Sequence, residues 1–163
     1  MLVKKKRPTN KMPTIAQLRM AFEKANKLSV ILEIALHDMQ KAELSPNHKI
    51  CMSTWYRVMH DGICRVCLAG SVIAARYSRL VKCDRLGCIY PDLLRGIDEC
   101  EDKLYALNEL RMGCVSSALR AINKRWLGPH ELDRPISDYN EHCPGYWWGD
   151  MGSLLGDLRA AGL

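Results

Sequence analysis

The sequence predicts an all-α protein: a compact helical domain of five or six helices with a basic N-terminal arm. Two positive observations and one negative one carry that expectation. Apolar residues recur at steps of three and four along most of the chain, and a capping box opens the first such run. The alternation of strands and helices expected of an α/β protein is missing. With 163 residues the chain is long enough to bury roughly two thirds of its unfolded surface around one core. Residues 1–13 are read as the arm and residues 14–163 as a single helical domain.

The capping box is Thr14 with Gln17, directly after Pro13. Ile15, Leu18, Phe22 and Ala25 follow at helical spacing, and Leu28, Ile31, Leu32, Ala35, Leu36 and Met39 continue the pattern up to Pro46. This is one long helix or two abutting ones; unbroken, thirty residues would span about 45 Å. Around Ile50, Met52 and Trp55 the spacing is mixed, which fits a short strand or an irregular connection ending at Gly62. Residues 63–81 read as one helix, with Gly70 and Ala74 keeping a strip small enough for another helix to approach. A further helix starts near Ile97 and runs through Cys100, Leu104 and Leu107, with Asp98, Glu99 and Glu101 at the end its dipole favours. Gly113 interrupts, and Val115, Ala118, Leu119, Ile122 and Trp126 form the next stripe. Residues 127–145 are too polar and proline-broken for a helix. The last helix places Trp147, Met151, Leu154, Leu155 and Leu158 on one face.

The net charge is +6, but Lys4, Lys5, Lys6, Arg7 and Lys11 supply five of those charges, which leaves the rest of the chain at +1. A basic arm on a near-neutral body argues only weakly for nucleic-acid binding by the body. No stretch reaches the roughly 20 apolar residues of a membrane-spanning helix, and no apolar run follows the N-terminal charges. The expectation is a soluble, intracellular protein with no membrane partner, its eight cysteines reduced and packed as small apolar side chains.

Cys64 and Cys67, with Cys83 and Cys88, superficially resemble two halves of a zinc site. If residues 67–81 form a straight helix, Cys67 and Cys83 stand about 24 Å apart, too far to share one ion. A site from His60, Cys64 and Cys67, completed by His142 or Cys143, needs the helix to begin before Gly62. A redox pair at a helix start would need a preceding strand, and none is expected. The reading therefore assigns no metal, no cofactor and no catalytic residue. Glycine-rich phosphate loops, His-Glu-x-x-His and Gly-x-Ser-x-Gly are all missing from the sequence, so a non-enzymatic protein is expected.

Partner contacts are assigned to Lys4, Lys5, Lys6 and Arg7 of the arm, and to Arg76, Arg79 and Lys82, which step by threes off the end of the 63–81 helix. Cations also suit a helix C-terminus for dipole reasons alone. Trp147 and Trp148 complete the set, because tryptophan is enriched at binding hot spots; they serve equally as a core anchor.

Trp55, the Cys64–x–Val66–Cys67–Leu68–Ala69–Gly70 motif and the Met/Leu stretch from Met151 to Leu163 resemble segments of small uncharacterised proteins of tailed bacteriophages. The likeness covers about half of the chain and implies a phage origin and the host bacterial cytoplasm. Together these readings suggest a non-enzymatic accessory protein that binds and modulates a host or phage macromolecular complex, possibly one containing nucleic acid. Host takeover or anti-defence inhibition would be its role. The alternatives are a nucleic-acid-binding regulator, a small zinc-binding protein or a minor virion component.

Overall fold

The computed structural model describes residues 12–80, 100–126 and 146–163. Lys4, Lys5, Lys6, Arg7, Lys82, Cys83, Cys88, His142 and Cys143 lie outside them.

The capping box forms as expected. Thr14 Oγ1 accepts the Gln17 N–H at 3.3 Å, and Gln17 Oε1 accepts the Thr14 N–H at 2.8 Å. They open α1 (Ile15–Lys24). Residues 25–27 then break the run: Ala25 and Lys27 both adopt extended backbone, and α2 (Leu28–Glu43) begins separately. Two helices, not one rod, resolve the open choice. Helix α1 buries only Phe22, and Lys103 caps its far end by donating its ammonium to the carbonyls of Phe22 and Glu23. Helix α2 buries Leu28, Ile31, Leu32, Ala35, Met39 and Ala42.

The purely all-α expectation is corrected here. Three short strands, β1 (His48–Ile50), β2 (Tyr56–Val58) and β3 (Cys64–Val66), form a sheet in the order β1-β3-β2, with β1 parallel and β2 antiparallel to the central β3. Asp61 and Gly62 supply the turn of the β2–β3 hairpin: Asp61 Oδ1 accepts the Ile63 N–H, and the Gly62 N–H reaches the Met59 carbonyl. Asp-Gly flanked by Val58 and Ile63 is a hairpin signature. The 63–81 rod therefore does not exist. Its first residues form β3, followed by the short α3 (Leu68–Val72) and a π-helical segment, Ile73–Tyr77.

The small strip at Gly70 does admit a close neighbour, but that neighbour is backbone, not a helix. A Cβ added to Gly70 would lie 1.4 Å from the Trp55 carbonyl oxygen, which also accepts the Cys67 N–H at 3.1 Å. The start of α3 is thus locked against the loop between β1 and β2.

Helices α4 (Glu101–Arg111) and α5 (Val115–Ile122) follow, with Gly113 in the turn between them. The last helix, α6 (Tyr146–Ala160), buries Met151, Leu154 and Leu158. It closes in a Schellman motif, in which the Leu163 N–H reaches the Leu158 carbonyl and the Gly162 N–H the Arg159 carbonyl. Gly162 takes the left-handed conformation this requires, at φ +76. Leu163 is thereby carried to the start of α2, which has no side-chain cap of its own. The Leu163 carbonyl accepts the N–H and hydroxyl of Ser29 there. One core cluster draws residues from all six helices described.

Candidate functional site

The sheet has two unlike faces. Each strand reads apolar or half-buried, then cationic, then apolar: His48-Lys49-Ile50, Tyr56-Arg57-Val58 and Cys64-Arg65-Val66. Cys64 and Val66 are buried with Ala42, and Ile50, Tyr56, Val58 and Ala74 pack around them. Side chains alternate across a strand, so the middle residues project from the opposite face. Register then places Lys49 beside Arg65 and Arg65 beside Arg57. Strands lie about 4.8 Å apart, so the three cations share a strip about 10 Å wide.

Lys49 and Arg57 are exposed and Arg65 is half-buried. Among the described residues, none of the three has an ion pair or hydrogen bond. Like charges directly opposite in a sheet cost roughly 0.2–1 kcal/mol each. The surrounding sequence offers little relief: residues 44–83 contain six Lys or Arg and a single acid, Asp61. The near-neutral total of the body conceals this segment. The face can receive an anion with several charges in a row.

Arg76, expected on a surface stripe, is instead interior, 3% exposed. Its Nε lies 2.5 Å from Asp38 Oδ2 and its Nη2 3.0 Å from Asp38 Oδ1, while Nη1 donates to the Leu18 carbonyl. Asp38 itself is 2% exposed. Arg76 holds α1, α2 and the π segment together, and it is withdrawn from the contact set. Arg79, three residues on, is exposed as expected. Trp147 and Trp148 lie in the first turn of α6.

Against the π segment lies a cavity of about 260 Å³, lined by α1, α2, β1, α3 and the π segment itself. Its polar wall holds Asp38, Lys41, Ser45, His48 and Ser71. Ser45 Oγ and His48 Nδ1 are 3.0 Å apart, and partial burial pushes the imidazole pKa below its usual value.

The cysteine pair straddles a strand–helix junction. Cys67 is still extended, so three extended steps separate it from Cys64, about 10 Å between Cα atoms. A disulfide tolerates no more than about 7 Å. The odd separation also sends the thiols to opposite sides: Cys64 packs with Ala42 and Val66, Cys67 in the main core. Burial pushes the Cys67 thiol pKa up, away from the thiolate that nucleophilic or redox chemistry requires. His60 lies exposed near the hairpin turn. Among the described residues, no group of three or more His, Cys, Asp or Glu is placed to hold a metal ion.

Sequence reasoning missed Lys49, Arg57 and Arg65 because it read no strands. The signal was available in three apolar-cation-apolar triplets, two of them joined across Asp-Gly. Comparison with known protein families, curated proteins and solved structures finds no match. No helix among the described residues is long and apolar enough to cross a membrane.

Proposed function

We propose that the protein is a non-enzymatic binding protein whose outer sheet face docks on the nucleic-acid backbone of a host or phage complex. The observation that carries this reading is the in-register row of Lys49, Arg65 and Arg57, kept together without acidic partners despite their mutual repulsion. Phosphates supply repeated negative charge that positions a protein without specifying sequence. The basic arm, with Lys4, Lys5, Lys6 and Arg7, extends the same electrostatic attraction. Arg79 and the Trp147 and Trp148 pair are the further contacts. The likeness of the Cys-x-Val-Cys-Leu-Ala-Gly segment to phage proteins sets this activity in an infected bacterium, where modulation of a host complex amounts to takeover or anti-defence.

The test is fluorescence anisotropy with a labelled 20-nucleotide single strand and the matching duplex over a range of salt. Affinity should fall linearly on a double-logarithmic salt plot, and each phosphate contact removed should flatten the slope by about 0.7–0.9. The triple variant K49Q/R57Q/R65Q should lose most of the affinity. Binding that is unaffected by this variant, or a flat salt response, removes the sheet face from the account. Retention of an acidic protein from lysate, without nucleic-acid binding by the pure protein, would replace the phosphate backbone with a protein surface.

A further inference from the structure

We propose that the cavity beside the π segment binds a small aliphatic carboxylate, at a site independent of the sheet face. Protein interiors leave few voids larger than a water molecule, yet this space of about 260 Å³ persists because its walls are built from small residues: Ala42, Ser45, Ser71, Ala74 and Ala75. It is somewhat smaller than the roughly 300–1,000 Å³ that receives a drug-sized ligand, which sets the occupant at metabolite size. Two of the wall residues, Ala74 and Ala75, belong to the π segment, a geometry that recurs at functional sites.

The charge of the occupant follows from which polar groups are already engaged. Asp38 lines the space, but Arg76 grips both of its carboxylate oxygens, so it offers no free anion to a cationic ligand. Lys41, one turn further along α2, is exposed and has no ion pair or hydrogen bond among the described residues. His48 is held at Nδ1 by the Ser45 hydroxyl. When that hydroxyl donates, the neutral imidazole carries its proton on Nε2 and becomes a second donor. An ammonium and an imidazole N–H suit the two oxygens of one carboxylate. Leu18, Ala42, Ala74 and Ala75 then receive an apolar chain.

Hexanoate is the probe, with hexylamine as its cationic counterpart, each titrated into 15N-labelled full-length protein while amide shifts are followed. Hexanoate should perturb Ser71, Ala74 and Ala75 saturably in the millimolar range, and hexylamine should not. Lys41→Gln alters an exposed side chain and leaves the fold intact, and it should weaken hexanoate binding about tenfold, the loss of one charge-assisted contact. The triple sheet variant should bind hexanoate unchanged, so failure at either site leaves the other standing. No saturable shift, an equal response to hexylamine, or full affinity in Lys41→Gln would overturn the proposal.

Discussion

Two sets of cations in this molecule have opposite fates. Arg76 is enclosed by the π segment, α1 and α2, with its guanidinium matched to Asp38 and the Leu18 carbonyl. Lys49, Arg65 and Arg57 stand in a row on the sheet and have no such matches among the described residues. The difference is between a charge that holds the protein together and charges that the fold tolerates. Removing the partner of a buried charge leaves it desolvated and unpaired, whereas removing a charge from a repelling row relieves strain.

The largest expected effect is at the interior pair. Asp38→Ala should destabilise the protein by about 3–5 kcal/mol, because the Arg76 guanidinium stays buried without its counter-ion. Chemical denaturation measures this, and the double replacement Asp38→Leu with Arg76→Met should recover much of the loss. A mild effect of Asp38→Ala would mean that Arg76 escapes to solvent and that the contrast between the two cation sets is false. Gly70→Ala comes next. Its new methyl would meet the Trp55 carbonyl oxygen, and displacing that backbone should cost about 1–3 kcal/mol. Gly162→Ala should cost about 1 kcal/mol, read as a lower Tm, since it strains the Schellman turn that brings Leu163 to Ser29. Smallest of all, K49Q/R57Q/R65Q should shift stability by no more than about 0.5 kcal/mol in either direction. A large destabilisation by that triple variant would show that the row is structural, and its role in binding would have to be abandoned.

The helical part was legible because it announces itself locally. Thr14 and Gln17 encode the start of α1, and the spacing of Leu28, Ile31, Leu32, Ala35 and Met39 encodes the buried face of α2. The sheet was not legible from periodicity, since three-residue strands are too short to establish a period of two. Cys64, Cys67, Leu68 and Ser71 match a helical stripe, yet the chain is extended through Cys67. Pairing with both β1 and β2 outweighs local helical preference there, as tertiary context commonly does. The candidate site failed for a related reason. Arg76 and Arg79 look equivalent in a list of cations spaced by three, and only the π segment assigns one to the interior. Lys49, Arg57 and Arg65 are eight residues apart in the chain, and only strand register makes them neighbours.

A π turn closes its hydrogen bonds over five residues where an α turn uses four, so the wall from Ile73 to Tyr77 holds a surplus residue. Excising one alanine from it would let an ordinary helix form and swing everything after it by about 100°. Arg76 would then turn away from Asp38, and the latch that joins the first two helices to the rest would open. The molecule's integrity thus hangs on an irregularity one amino acid long, a dependence that no inventory of favourable contacts would expose.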